Sequence, residues 1–308
     1  MKMYVGVTDY DWFTLLKQQE CDEVNFWTPG ARNFRALEEY ELFLFKLHYP
    51  RNYIVGGGFF VRSSILPVGL AWETFELKNG TRNYNELYNR ILKYKTRNRI
   101  DTTNPNIGCI VLTEPFFFEE RDWIPVPPDW KPSIVQGKTY NTESRIGMQL
   151  YKDVTDRLHK TMPSVVAAKP VASPGNRYTY SATKHRIGQG AFRVIITDAY
   201  QKRCAITGEK TLPVLQAAHI KPYASGGEHL VTNGLLLRSD LHTLFDEGYI
   251  TIDCDYRVNV SRKLHDDYGN GKDYYKYHGA QMQVLPEYMQ ERPAKVYLEW
   301  HNDNIYLG

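Results

Sequence analysis

The chain of 308 residues contains no run approaching the roughly 18 apolar residues of a membrane span, so no membrane-spanning helix is expected in it. Its start, Met1 to Asp9, lacks the basic and then apolar pattern of a secretory leader, so the expectation is a cytoplasmic protein with no membrane partner. Cysteine is scarce: Cys21, Cys109, Cys204 and Cys254 stand as widely separated singles, which argues against a disulfide framework or a paired-cysteine zinc site. No structural zinc is expected. Charge of one sign is not in excess either, since the formal net charge is +3, so any surface for a polyanion must come from local clustering. Internal repeats and long low-complexity tracts are missing, which excludes a solenoid.

What is present is a register of polar residues in otherwise apolar segments. His219 precedes Asn233 by 14 positions, Asn233 precedes His242 by 9, and His242 precedes Asp246 by 4. Residues 213–220 read as a strand stopped by Pro222, and 223–232 as a loop holding Ser225, Gly226 and Gly227. Residues 234–238 read as a second strand, followed by a short helix ending at Gly248, with Ser239 or Asp240 as N-cap. Leu241, Leu244 and Phe245 form its apolar stripe, which leaves His242 and Asp246 at i and i+4 on another face, within reach of one cation.

These residue types suit phosphodiester hydrolysis. That reaction needs a base to deprotonate water and a cation to neutralise charge developing on the phosphate and leaving oxygen. A neutral imidazole can take a proton near pH 7, so His219 is the expected general base. His242 and Asp246 are the expected metal ligands, leaving positions for water and phosphate on one Mg2+ or Mn2+ per site, with Zn2+ or Ni2+ as in vitro substitutes. Asn233 cannot titrate; its amide suits pinning the loop so that His219 faces the phosphate. His229 and Glu228, in the glycine-rich loop, read as solvent-facing.

The AHI-x-P, N-G-L-L-L-R and D-L-H-x-L-F-D wording resembles the HNH, or ββα-metal, endonuclease motif, over about 35 residues. The resemblance implies a bacterial restriction endonuclease. It carries one departure: many members place Asp or His immediately before the base as a ligand, and this chain has Ala218 there. The cation must then rely on His242, Asp246, water and phosphate. The segment from Arg177 to Arg203 is rich in cations, and its Arg186-to-Arg193 wording resembles the helix entry preceding this core. Arg186, Gln189, Arg193, Lys221 and Arg238 are therefore the expected contacts to double-stranded DNA.

Residues 1–140 differ in character. Short aromatic-rich runs at 3–7, 24–27, 41–47, 53–61, 107–113 and 123–126 read as strands, interrupted by helical patterns at 11–19 and 83–95. Most aromatics must be core, but Asn25 to Gly30 and His48 to Tyr53 read as loop edges that present aromatic and amide groups together. Reading one altered base requires extruding it, stacking it on aromatics and hydrogen-bonding its polar edge. The order of elements over about 3–126 is similar to PUA-like barrels of the EVE or SRA-related kind. In such a domain the barrel mouth binds a modified base, and the resemblance implies a pocket of Trp27 with Tyr53 and Trp72.

The expected fold is thus α+β: an N-terminal PUA-like β-barrel with helices (1–140), a helix and linker (141–176), and a C-terminal ββα-metal nuclease domain (177–308). The expected activity is modification-dependent hydrolysis of DNA, for example DNA carrying 5-hydroxymethylcytosine, in prokaryotic defence against phage. Two alternatives stay open: an HNH nuclease indifferent to modification, and a nucleic-acid reader whose HNH-like unit is inactive. A single cut centre per chain favours a homodimer for double-strand breaks. A helical pattern at 293–306 offers Val296, Leu298 and Trp300 for packing.

Overall fold

The computed structural model describes residues 1–95, 103–161 and 188–308. The expected linker at 162–176 lies outside the described residues, as does the start of the expected nuclease domain at 177. The chain divides into two compact units, Met1–Ile187 and Gly188–Gly308.

The first unit is built on one sheet with the strand order β2-β5-β4-β3-β1-β7, and β6 (Ile124–Pro125) pairs β4 off that path. The strands are β1 (Lys2–Thr8), β2 (Glu23–Thr28), β3 (Leu42–Leu47), β4 (Tyr53–Pro67), β5 (Asn106–Phe117) and β7 (Gly137–Asn141). β1 and β3 run parallel and the other pairs antiparallel. α1 (Tyr10–Lys17) lies on one face and α4 (Arg145–Thr161) on the other; α2 (Val68–Phe75) and α3 (Tyr84–Lys95) follow β4.

β3 shows why the sequence makes a two-faced sheet. Its LFLFKL run is buried throughout. Period-two alternation sends Phe43 and Phe45 to a cluster with Trp12, Phe13 and Leu16 of α1, and Leu42 and Leu44 to one with Leu150, Val154 and Leu158 of α4. The expected mixed α+β character holds, but the strand path is an open sheet, not the closed barrel expected. β2 pairs only β5 and β7 only β1, so the described strands at the two edges do not meet. Curvature instead enters through β4, whose pairing with β5 shifts register between Gly57 and Phe59 and again between Phe60 and Arg62. A Cβ at Gly56 would lie 2.2 Å from the Phe116 carbonyl oxygen, and one at Gly57 2.6 Å from that of Phe43. Only glycine admits that approach.

The second unit opens with α5 (Gln189–Ala199), then pairs β8 (Leu215–His219) with β9 (Gly234–Arg238) antiparallel, and continues into α6 (Ser239–Asp246). A short hairpin, β10 (Ile250–Ile252) and β11 (Val258–Val260), and the short helices α7 (Lys263–Tyr268) and α8 (Lys272–Tyr275) follow; α9 (Lys295–Asn304) comes last. Phe192 and Ile196 of α5, Leu235 and Leu237 of β9, Leu241 and Phe245 of α6 and Leu298 of α9 share one core. Of the apolar positions expected to pack from the last helix, Leu298 is buried and Trp300 half-buried, but Val296 is exposed. None of the four cysteines is in a disulfide. Among the described residues, no helix is long and apolar enough to cross a membrane.

Candidate active site

The strand, loop, strand and helix unit forms as its sequence pattern requires. His219 closes β8 opposite Gly234, where β9 begins. Ala218, the position of the absent ligand, is fully buried in the hydrophobic core. Asn233 is fully buried at the far end of the intervening loop. Its Oδ1 accepts the N–H of Lys221 at 2.9 Å, and its Nδ2 donates to the carbonyls of Lys221 and Glu228, each at 2.9 Å. One amide thus ties the two ends of the loop. The closure leaves no room at Gly227, where a Cβ would fall 1.9 Å from the Lys221 carbonyl oxygen.

His242 and Asp246 meet across one turn of α6, with Nε2 3.2 Å from Oδ2. Nδ1 of the same ring lies 2.8 Å from Oε1 of Gln216 on β8. An Nδ1–H donated to that oxygen leaves Nε2 with its lone pair on the side of the carboxylate. Gln216 was not legible as a site residue, because nothing in its strand pattern marks it; only the pairing of β8 against α6 reveals it. Among the described residues no three His, Cys, Asp or Glu side chains converge as a metal cluster. One imidazole and one carboxylate fit an open-coordinated hard cation that takes its remaining ligands from water and phosphate.

His219 lies flat on Phe192, with ring centroids 4.0 Å apart and planes 9° apart. Its Nε2 is 2.9 Å from Nδ1 of His229. Burial pushes the His219 imidazole down to about 4, helped by the neighbouring His229 and His242 and opposed by Asp246. At neutral pH the ring is therefore uncharged and able to accept a proton. His229 is not the solvent-facing loop residue its sequence context implied: it is half-buried, stacked on Tyr223 at 4.9 Å and bonded to His219. A cavity of about 260 Å³ gathers His219, His242 and Asp246 with Gln189, Tyr223 and His301.

The expected DNA contacts divide. Gln189, in the first turn of α5, is exposed and lines this cavity, and Arg193 follows one turn later, half-buried. The Lys221 ammonium stands 5.3 Å from the centre of the Trp300 ring. Arg238 is not brought to the site: it pairs opposite Leu215, four residues and roughly 13 Å of strand from His219. Its guanidinium is held by both carboxylate oxygens of Asp240, at 2.6 and 2.7 Å. That pairing also corrects the capping expectation, since α6 has Arg238 at its N-cap and no side-chain cap bond. Arg186 lies outside the described residues.

In the first unit the three expected pocket aromatics are not brought together. Trp27, next to last in β2, pairs opposite Cys109, which in turn pairs with Ser64 of β4, whereas Tyr53 begins β4 eleven residues earlier, roughly 35 Å of extended chain away. Tyr53 is exposed, against Trp123. Trp27 and Trp72 are closer associates: the Trp27 indole donates to the Asn79 carbonyl at 2.9 Å, and Asn79 Nδ2 donates to Ala71 beside Trp72. Asn25, read as a loop edge, is instead a buried strand residue whose Nδ2 donates to Asn79 Oδ1 at 2.9 Å. Its own Oδ1 is buried without a hydrogen bond.

Comparison with known proteins bears out the resemblance carried by the motif. Residues 204–253, which are 50 of the 308, match the HNH endonuclease family. No curated protein matches the chain. Among solved structures, an ASCH protein from Zymomonas mobilis aligns at 10% identity over 50% of this chain and 99% of its own, with a TM-score of 0.32. The modification-dependent TagI restriction endonuclease aligns at 12% identity over 97% of this chain and 81% of its own, with a TM-score of 0.29. The phosphorothioation-dependent restriction endonuclease ScoMcrA aligns at 14% identity over 78% of this chain and 52% of its own, with a TM-score of 0.20. Scores this low do not establish a shared fold.

Proposed function

We propose that the chain is a modification-dependent DNA endonuclease that hydrolyses phosphodiester bonds through its HNH segment. The observation that carries the reading is one cavity lined by a neutral histidine, His219, and by a histidine–carboxylate pair, His242 and Asp246, within the segment that matches the HNH family. His219 takes a proton from a water molecule as the water oxygen bonds to phosphorus and the opposite P–O bond breaks. Asn233 keeps His219 in place by closing the loop behind it. His242 and Asp246 would hold one Mg2+ or Mn2+, which when bound supplies charge neutralisation at the phosphate and leaving oxygen. Gln189 and Arg193 approach the backbone from α5. A second copy of the chain would supply the second cut of a double-strand break.

The first unit serves as the reader of a modified cytosine. What supports this is the half-buried Trp27 beside the buried Asn25 and Asn79 amides, which combines a stacking surface with polar groups of the kind a base edge requires. The test is cleavage, with Mn2+, of matched DNA containing cytosine, 5-methylcytosine, 5-hydroxymethylcytosine or glucosylated hydroxymethylcytosine. Preferential cutting of one modified substrate is expected. Equal cutting of all four contradicts modification dependence while leaving the nuclease, and binding without cutting of any would identify a reader with an inactive HNH unit.

A further inference from the structure

His219 and His229 meet through one nitrogen of each ring. Two imidazole nitrogens 2.9 Å apart share one hydrogen, because a neutral ring carries one N–H and one lone pair. His229 comes from the loop between β8 and β9 and reaches His219 because that loop folds back under Asn233. It is held in place by Tyr223, parallel to it at 4.9 Å and 13°, and by the edge of the Phe192 ring on which His219 itself stacks. The two imidazoles meet edge to face at 4.9 Å and 61°, the orientation of a ring-nitrogen hydrogen bond and not of a stack. The other ring nitrogen of His219, Nδ1, makes no hydrogen bond with the described residues.

We propose that His229 is a positioning residue that accepts the Nε2–H of His219, so that the proton-accepting lone pair of the base is on Nδ1. This deepens the reading of His219 as general base and rests on it. The contact then does two things. Before reaction it selects one tautomer and one ring plane, as an acceptor behind a functional imidazole does. During reaction, when Nδ1 takes the proton released by water, the imidazolium's Nε2–H becomes a stronger donor to a neutral acceptor already in place, and no side chain has to move. A protonated His229 could not accept, so the arrangement works with His229 neutral. Phe192 and Tyr223 supply the flat walls that keep both rings in register.

The test separates the acceptor from the ring. His229→Phe keeps an aromatic ring between Tyr223 and Phe192 but has no acceptor, whereas the Oδ1 of His229→Asn can occupy the place of Nδ1. With the full-length protein, Mn2+ and supercoiled plasmid DNA, His229→Phe should lower the maximal cleavage rate about 10- to 100-fold with little change in the DNA concentration at half-maximal rate. His229→Asn should cleave far faster than His229→Phe. A second readout needs no activity: 15N-histidine NMR of the metal-free protein, with the His219 ring assigned from His219→Gln, should show Nε2 protonated and Nδ1 bare in the wild type and in His229→Asn. A wild-type ring protonated on Nδ1, wild-type cleavage by His229→Phe, or equal loss in both variants overturns the proposal. If the wild type cuts no DNA, the nuclease reading fails and the tautomer alone decides the His229 assignment.

Discussion

Nε2 of His242 lies 3.2 Å from Oδ2 of Asp246, one turn further along the same helix. The pairing is directional because Nδ1 of that ring is engaged by Gln216, from the strand that also carries His219. A single strand therefore carries both the proposed base and the side chain that would support the proposed metal ligand. Asp246→Asn should raise the Mn2+ concentration needed for half-maximal cleavage by an order of magnitude or more, and Gln216→Ala by about 10-fold, the low end for an orienting partner. A metal titration of plasmid nicking checks both, and an unchanged midpoint in Asp246→Asn removes that carboxylate from the site.

Asn233 is the structural keystone of the loop. Asn233→Ala deletes three hydrogen bonds and leaves the Lys221 amide and two carbonyls without those partners, which should cost about 3 kcal/mol. Thermal unfolding should register this as a drop in Tm of the order of 10 °C. An Asn233→Ala variant as stable as wild type would contradict the pinning role.

Stability should also depend on pH through His301. This ring is buried between Thr251 and the Phe245 carbonyl, 2.8 and 3.0 Å from its two nitrogens, and burial pushes it down to about 4. Because the folded value lies below the ordinary 6.5, the unfolded chain binds the extra proton between those limits. The contribution is complete above pH 6.5 and is lost progressively as pH falls toward 4; its full size is about 3 kcal/mol. Tm measured from pH 7 to 4.5 should fall, and His301→Gln, which cannot titrate, should show a shallower slope whatever its absolute stability. Parallel slopes in the two proteins would contradict the assignment.

The local grammar of the nuclease segment was legible because its signals are local. A strand stopped by Pro222, a glycine-rich loop and an i, i+4 pair on a short amphipathic helix each act within a few residues, and they place His219, Asn233, His242 and Asp246 correctly relative to their elements. Helices at 10–17 and 84–95 were legible for the same reason. Partners supplied from a distance were not. Gln216 reads as an ordinary exposed strand residue and stays exposed in the fold, so only its bond to His242 of α6 marks it, and His229 reads as a solvated loop residue until the loop closes. The sheet of the first unit failed as a barrel for a related reason: strand runs reveal strands, whereas closure depends on which edges pair, and β2 and β7 remain apart. Likewise Arg238 had the charge for a phosphate contact, but Asp240, two residues on, takes it.

The proposed hydrolysis depends most directly on its proton acceptor. Wild type and His219→Ala should be compared on supercoiled plasmid DNA with saturating Mn2+, alongside DNA binding and thermal unfolding of both. The prediction is cleavage by the wild type, a loss of rate of about 100-fold or more in His219→Ala, and binding and melting close to wild type. Comparable cleavage by the two proteins would contradict it.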